Sequence, residues 1–503
     1  MEGAKNSNSV LDHFYSICSV QSNDAEDKMI TANNCRGKVI YVLGLGTSGH
    51  GALKSLLAAE AVVFSWDDNA DSRVPIEGVT YVDHNNLNLQ EIDLLVVSPG
   101  INVFWPKPHP AVMYARKHMI PVICDIDLFM HNKPAKAGCI GVTGTNGKST
   151  TSSLIAHVIN SAGGIKAAES YINKAVVSGN IGASVLDQPI LSKGETYVVE
   201  LSSYQLELME AFDFEFSVIL NITQDHLIRH KNMFGYANAK QNIFQNLSFG
   251  GYGIIGQDDQ YCREIYGSFS DCKRLIPISA CIVPEKGVGW DKDHLIDNIN
   301  GKRISVLSHK ETGMLDGRHN YQNIAAVYAV CHNKGISSTD FLSALQSFEP
   351  LRHRQEIVDR SMPFKVINDS KATNLDACVK ALENANNIYW IAGGLAKSLD
   401  FSALSGNHLK NVRKAFLIGD SADLMSKFLG QQKVDNEICG TLEVATKKAL
   451  ETAYIEYKQS KCEDVSVILA PACASFDQFK GFECRGDSFV ELVRSWWAGC
   501  KNG

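Results

Sequence analysis

Short apolar runs bounded by glycine and polar residues alternate along the chain with longer stretches in which apolar residues recur every third or fourth position. The runs have the length of buried strands, and the stretches have the period of helices. The alternation falls into three blocks. In the first, Val39–Leu43, Val62–Trp66 and Leu94–Val97 read as strands. The second begins near Lys136 and has its clearest strands at Cys139–Thr143, Thr196–Val199 and Phe216–Leu220. The third begins near Leu351, with strands at Lys365–Ile367, Tyr389–Ala392, Ala415–Ile418 and Val465–Leu469. Repeated strand–helix alternation predicts an α/β protein. Linker signals lie at His131–Lys136 and at Phe348–Arg354, where Pro350 separates two helical patterns. The expected division is an extension over 1–36 and domains over 37–134, 135–349 and 350–503.

Length supports this division, because single cores stop growing near ~250–300 residues and the chain has 503. The formal charge of -7 supplies no broad basic field, so no nucleic-acid partner is expected. No apolar run approaches the ~20 residues of a membrane span. Residues 1–36 carry neither a secretory nor a transit pattern. A cytoplasmic protein without a membrane partner is expected. The 14 cysteines form no C-x-x-C pair and read mostly as small buried hydrophobes.

The most specific chemistry lies at Gly141-Val-Thr-Gly144-Thr145-Asn146-Gly147-Lys148-Ser149-Thr150, between a strand and a helical pattern over Ser152–Ile159. Such a loop turns backbone N–H groups onto phosphate oxygens, and the helix N-terminus adds partial positive charge. Lys148 can reach the β- and γ-phosphates, and Ser149 or Thr150 can ligate Mg²⁺. Val142 stands where the strict pattern has its first glycine. The central block is therefore expected to be a P-loop ATPase-like domain with a mainly parallel sheet.

Glu200 falls at the carboxyl end of a strand, the edge where open parallel sheets bind ligands. A carboxylate there suits Mg²⁺, a hard cation, although a solvated loop residue is the commoner case. Ser202 lies in the same turn, and Asp225-His226 follows the next strand. Lys240 shares a helical stripe with Tyr236 and Phe244, in a helix expected from about Gly235 to Leu247. It is either a lysine snorkelling from an apolar face or a buried, neutral amine able to take up CO₂ as a carbamate.

In the first block, Gly44-Leu-Gly46-Thr47-Ser48-Gly49 follows a strand, and Asp67 closes the next one. This is the dinucleotide fingerprint with its acidic partner. It predicts a Rossmann-like domain and leaves NAD and other nucleotides open.

Taken together, these segments resemble the Mur ligases of peptidoglycan synthesis. The resemblance runs from Lys38 to Trp497 and includes the phosphate loop, the Glu200 and Asp225-His226 segments, Gly317-Arg-His-Asn320-Tyr-Gln-Asn323 and Leu351-Arg-His-Arg354. Three further segments look like the member that adds D-glutamate to UDP-N-acetylmuramoyl-L-alanine: Ser98-Pro-Gly100, Asn368-Asp-Ser-Lys-Ala-Thr-Asn374, and the stretch from Ala470 to Phe482.

The resemblance implies a monomeric ligase that uses ATP and two Mg²⁺ ions, with a C-terminal dinucleotide-binding-like α/β domain. It implies that Lys240 is carbamylated and that Ser149, Glu200, His226 and Lys240 are metal ligands. Thr47, Ser48, Asp67, Asn180, Ser202 and Gln205 would bind the UDP substrate. Asn320, Asn323, Arg354 and Asp369 would join the phosphate loop in holding ATP. Lys371, Thr373, Lys397, Ser475, Phe476 and Phe482 would form the D-glutamate pocket. Domain closure on binding is expected. Ile228 stands where many relatives carry Asp, Tyr204 where Phe is common, and Phe476 where some have Leu.

Overall fold

The computed structural model describes residues 29–86, 91–162, 174–269, 271–315, 318–383, 385–396, 401–404, 406–460 and 464–502. They form three sheets. The first is wholly parallel, in the spatial order Val79–Tyr81, Val62–Trp66, Val39–Leu43, Leu94–Val97, Val122–Ile123. The chain reverses its direction of winding beside Val39–Leu43. A crevice for ligands therefore opens beyond the carboxyl ends of Val39–Leu43 and Leu94–Val97.

The second sheet has nine strands. Gly138–Thr143 lies between Thr196–Glu200 and Phe216–Ile219, parallel to both. Ala175–Gly179 edges one side, and Tyr252–Gly256 and Leu275–Ser279 extend the other. Val288–Asp291, His294–Asp297 and Ile304–Ser308 complete that side, the last two pairings antiparallel. The third sheet runs Glu356–Ile357, Lys365–Asn368, Ser466–Leu469, Ile388–Gly393, Val412–Ile418, Asn436–Gly440, with only the first pairing antiparallel. The central strands of each sheet are buried along nearly their whole length, as in parallel sheets covered on both faces.

The hydrophobic cores divide the molecule unequally. One core runs without a break from the first sheet into the middle domain, and Phe129 meets Tyr197 edge-on at 5.0 Å. A second core fills the far side of the middle sheet. Two more cover the opposite faces of the third sheet. The first and middle domains are thus joined by packing. The third meets the middle one through polar contacts, among them Arg354 to Ser149 and Asn374 to Asp225.

Three sequence expectations change. The helix expected from Gly235 to Leu247 is an α-helix over Met233–Gln241 that tightens to 3₁₀ over Asn242–Phe249. After Pro350 the chain does not resume a helix. His353 and Gln355 take left-handed φ of 63° and 51°, and a strand follows at Glu356–Ile357. Most of the expected extension lies outside the described residues. Its end is no appendage, because Ile30, Ala32 and Cys35 are buried in the first core and Met29 bridges to Pro189.

Candidate active site

The phosphate loop leaves the carboxyl end of Gly138–Thr143 and enters the helix Lys148–Ser161 with Gly147 as its N-cap. Gly147 has φ +83°, and a Cβ there would sit 2.2 Å from Asn323 Oδ1. Glycine is required on both counts. Asn221 pins the loop from the neighbouring strand end: Asn146 N donates to its Oδ1 at 2.9 Å, and its Nδ2 donates to Asn146 O at 3.2 Å. Thr145 Oγ1 accepts from Thr223 N at 3.0 Å and lies 3.2 Å from the Tyr236 hydroxyl. The Lys148 amine folds over the loop and donates to the carbonyls of Gly144 and Thr145, both at 2.9 Å. Thr150 lies one residue further into the helix and is half-buried. Asn320 and Asn323 are buried beside the loop, 3.3 Å apart through Asn323 Nδ2 and Asn320 Oδ1.

Glu200 ends the adjacent strand and is 2% exposed. Ser149 Oγ donates to its Oε2 at 2.5 Å, and Asn180 Nδ2 donates to its Oε1 at 2.8 Å. Arg354, from the third domain, donates to the same Ser149 hydroxyl at 2.6 Å. No salt bridge reaches Glu200 among the described residues. A buried carboxylate with neutral hydrogen-bond partners beside a phosphate loop is a donor set suited to a hard divalent cation.

Lys240 is 1% exposed. Its amine donates to Gly144 O at 2.9 Å and Thr143 Oγ1 at 3.2 Å, beneath the loop. Burial, reinforced by Lys148, holds this amine well below the usual lysine range. Of the two sequence readings, the buried one describes its environment, and nothing snorkels. His226 caps the short helix Leu227–His230 in a left-handed conformation. Its Nδ1 lies 3.0 Å from the Tyr204 hydroxyl and its Nε2 lies 3.5 Å from Asp225 Oδ2. His230 is a different kind of residue. It is buried against the Ser203 hydroxyl at 2.9 Å, and burial, then Arg229, pushes it down to about 4.

A cleft of about 760 Å³ runs from the first domain across the middle to the third. Thr47, Ser48, Asp67, Asn180 and Gln205 line it, and so do Ser149, Arg354, Lys371 and Phe482. Asp67 is locked to the glycine loop, accepting from Leu45 N at 2.6 Å. Ser48 and Gln205 face the buried carboxyl of Asp125, which burial raises above the usual range. Ser202, expected in the same group, does not line the cleft. Its hydroxyl and N–H are taken up with Gln205 in a capping box.

The expected D-glutamate group is not one cluster. Lys371 lies over the Phe482 ring at 3.9 Å, and burial, then Arg354, lowers its amine to about 8. Asp369, buried beside it and accepting from Gln355 Nε2 at 2.5 Å, is raised by burial to about 6. Phe476 instead lines a neighbouring cavity of about 1230 Å³ with His226, Ile228 and Asn374, because its ring stands out from the turn that buries Ser475. Thr373 is half-buried and lines neither of these two cavities. Lys397 lies outside the described residues.

Comparison with known proteins decides the family. Residues 142–331 match the Mur ligase middle domain. The UDP-N-acetylmuramoylalanine–D-glutamate ligase of Paramagnetospirillum magneticum is 40% identical over 470 residues, covering 93% of this chain and 98% of the relative. The chain belongs to the Mur ligase family. The corresponding ligase of Caulobacter vibrioides is 38% identical over 94% of this chain and 98% of its own. Solved structures share this ligase's three-domain α/β fold. MurF from Acinetobacter baumannii has a TM-score of 0.55 at 14% identity, with 92% of this chain and 93% of that one covered. UDP-N-acetylmuramate-alanine ligase from Thermotoga maritima has 0.53 at 17%, with 91% and 99% covered.

Two parts of the ligase site escape a reading of the sequence. Asn221 stands there only as one of several polar residues after a strand, although it pins the loop. Asp125 carries no motif signal, since its role arises where the first domain meets the middle one.

Proposed function

We propose that this chain joins D-glutamate to the carboxyl end of UDP-N-acetylmuramoyl-L-alanine, consuming ATP and releasing ADP and phosphate. The observation that carries the reading is the single cleft in which Ser149, hydrogen-bonded to Glu200 behind it, meets the glycine-loop residues Thr47 and Ser48 and the third-domain residues Arg354 and Lys371. Such a cleft can hold a nucleotide-linked carboxylate, a triphosphate and an amine together.

In this reading Thr47, Ser48, Asp67, Asn180 and Gln205 hold the UDP substrate with its alanyl carboxylate at the phosphate loop. The loop amides over 144–150 and Lys148 hold the phosphates of ATP, with Asn320, Asn323, Arg354 and Asp369 around the nucleotide. A carboxylate oxygen attacks the γ-phosphorus, the bond to the β-phosphate oxygen breaks, and ADP leaves. The amine of D-glutamate, oriented by Lys371, Thr373, Lys397, Ser475 and Phe482, then attacks the acyl carbon. The C–O bond to phosphate breaks, and the amine's surplus proton passes to solvent. The chain's contribution is positioning and charge neutralisation.

Ser149, Glu200, His226 and a carbamate on Lys240 would hold two Mg²⁺ ions. When bound, Mg²⁺ neutralises charge on the transferring phosphoryl group and polarises the acceptor carboxylate. The depressed amine of Lys240 supports the carbamate, because only the neutral form adds CO₂. Among the described residues no helix is long and apolar enough to cross a membrane. In this reading the chain acts as a cytoplasmic monomer on soluble precursors.

Purified protein incubated with ATP, Mg²⁺, UDP-N-acetylmuramoyl-L-alanine and a panel of D-glutamate, L-glutamate, L-lysine and meso-diaminopimelate tests the reading by product mass. A product with D-glutamate alone is expected. A product with another amino acid would keep the ligase chemistry and overturn the pocket assignment. No product with any of them would overturn both.

A further inference from the structure

Arg485 lies in the first turn of the helix Phe482–Asn502 and is 1% exposed. Burial lowers its guanidinium to about 10, which leaves it charged at neutral pH. Two effects oppose a cation in that place: burial itself and the positive end of the helix dipole. Its hydrogen bonds go to one hydroxyl and three carbonyls. Nε donates to Ser370 Oγ at 3.0 Å, and Nη2 donates to Ser370 O at 2.9 Å. Nη2 also donates to Cys473 O at 3.2 Å, and Nη1 to Ala474 O at 3.3 Å. The Ser370 hydroxyl donates in turn to Phe482 O at 2.8 Å. Gly394 closes the junction, because a Cβ there would lie 2.2 Å from Ala474 O and 3.2 Å from Arg485 Nη1.

These partners belong to two loops that leave the carboxyl ends of adjacent parallel strands, Lys365–Asn368 and Ser466–Leu469. The first loop carries Lys371 and Thr373, and the second carries Ser475. One backbone bond, Ala472 N to Ala372 O at 2.9 Å, also joins them. We propose that Arg485 is a positioning residue for the amino-acid substrate, holding the loop of Lys371 and Thr373 in register with the loop of Ser475. The inference rests on the reading of those residues as the D-glutamate pocket. A planar guanidinium can meet acceptors on both loops at once, which the point charge of an ammonium cannot. The nucleotide side has its own support. Asp369, next to Ser370, donates its N–H to Leu469 O at 2.8 Å and accepts from Gln355. Loss of the fork therefore falls on the amino acid and not on ATP.

Arg485→Lys keeps the charge and removes the fork. Ser370→Ala is the milder variant, since it removes one hydroxyl and leaves the carbonyl contact. Lys371→Met serves as the reference for the pocket. In the full chain, D-glutamate is titrated at saturating ATP, Mg²⁺ and UDP-N-acetylmuramoyl-L-alanine. The Kd of a non-hydrolysable ATP analogue and the melting temperature are measured alongside. Arg485→Lys should lower kcat/KM for D-glutamate roughly 10–100-fold. Ser370→Ala should lower it less, and both should keep the parent's Kd for the analogue. If that Kd weakens in step with the D-glutamate kinetics, or both merely follow a falling melting temperature, Arg485 only holds the domain together and the proposal fails. Where Arg485→Lys does not fold, Ser370→Ala decides by the same comparison. If both variants keep the parent's D-glutamate kinetics while Lys371→Met loses them, the positioning role is overturned and the pocket reading stands. If Lys371→Met keeps them as well, the pocket reading fails together with the proposal.

Discussion

The Arg354 guanidinium donates to the Ser149 hydroxyl across 2.6 Å, and that hydroxyl donates onward to Glu200. One hydrogen-bonded chain thus links the third domain to the phosphate loop and its buried carboxylate. Arg354 is set into this position by the left-handed residues on either side, His353 and Gln355. A planar guanidinium fills such a place in a way an ammonium does not. Arg354→Lys should lower kcat/KM by about 10²–10³, the cost of one preorganised donor at a charge-developing site. Its melting temperature should stay near that of the parent. Steady-state kinetics with thermal unfolding checks both.

Gly147 meets two separate obstacles to substitution: a positive φ and the Asn323 side chain 2.2 Å from any Cβ. Gly147→Ala should destabilise the fold by about 1–3 kcal/mol and raise KM for ATP by moving the loop off Asn323. Urea unfolding gives the first number and kinetics the second. An alanine variant with unchanged stability would show that the turn is looser than the structure has it.

Lys240 sits under the loop with a depressed amine. Lys240→Ala should lose most activity while ATP-analogue binding survives. Short-chain carboxylic acids should restore part of the turnover by supplying the missing carboxylate. Full activity of the variant would end the carbamate reading.

His230 gives a pH signature. Its folded value, about 4, lies below the ordinary histidine value of 6.5. Between these limits the unfolded chain binds a proton that the folded chain does not, so stability rises with pH across that window. Unfolding free energy should fall as pH drops from 6.5 towards 4. His230→Gln, which keeps a donor for Ser203, should flatten that part of the curve. Parallel curves for parent and variant would contradict the assignment.

Much of the fold could be read in the sequence because its central strands are buried on both faces. Val39–Leu43, Val62–Trp66 and Leu94–Val97 match the expected strands residue for residue. Edges were harder. Ala175–Gly179 and the antiparallel trio from Val288 to Ser308 carry glycine, polar or exposed positions that blur the apolar run. In the site, residues placed by local geometry were legible: the phosphate loop follows its strand, and Glu200 and His226 follow theirs. Residues that depend on contacts between distant segments were not. Ser202 looked available until Gln205 capped it, and Phe476 looked like a neighbour of Phe482 until the turn separated them. Lys240 could be weighed either way from its helical stripe, because only the packed structure shows the phosphate loop closing over it.

Oxygen tracing tests the ligase mechanism most directly. UDP-N-acetylmuramoyl-L-alanine labelled with ¹⁸O in both oxygens of its alanyl carboxylate is turned over with ATP, Mg²⁺ and D-glutamate. Attack of the carboxylate on the γ-phosphorus carries one labelled oxygen into the released phosphate and leaves the other in the new amide. Each phosphate should then hold one ¹⁸O. Unlabelled phosphate alongside a product that forms normally would mean that the carboxylate is never phosphorylated, and that Lys148, Ser149 and Glu200 do not serve its attack on ATP.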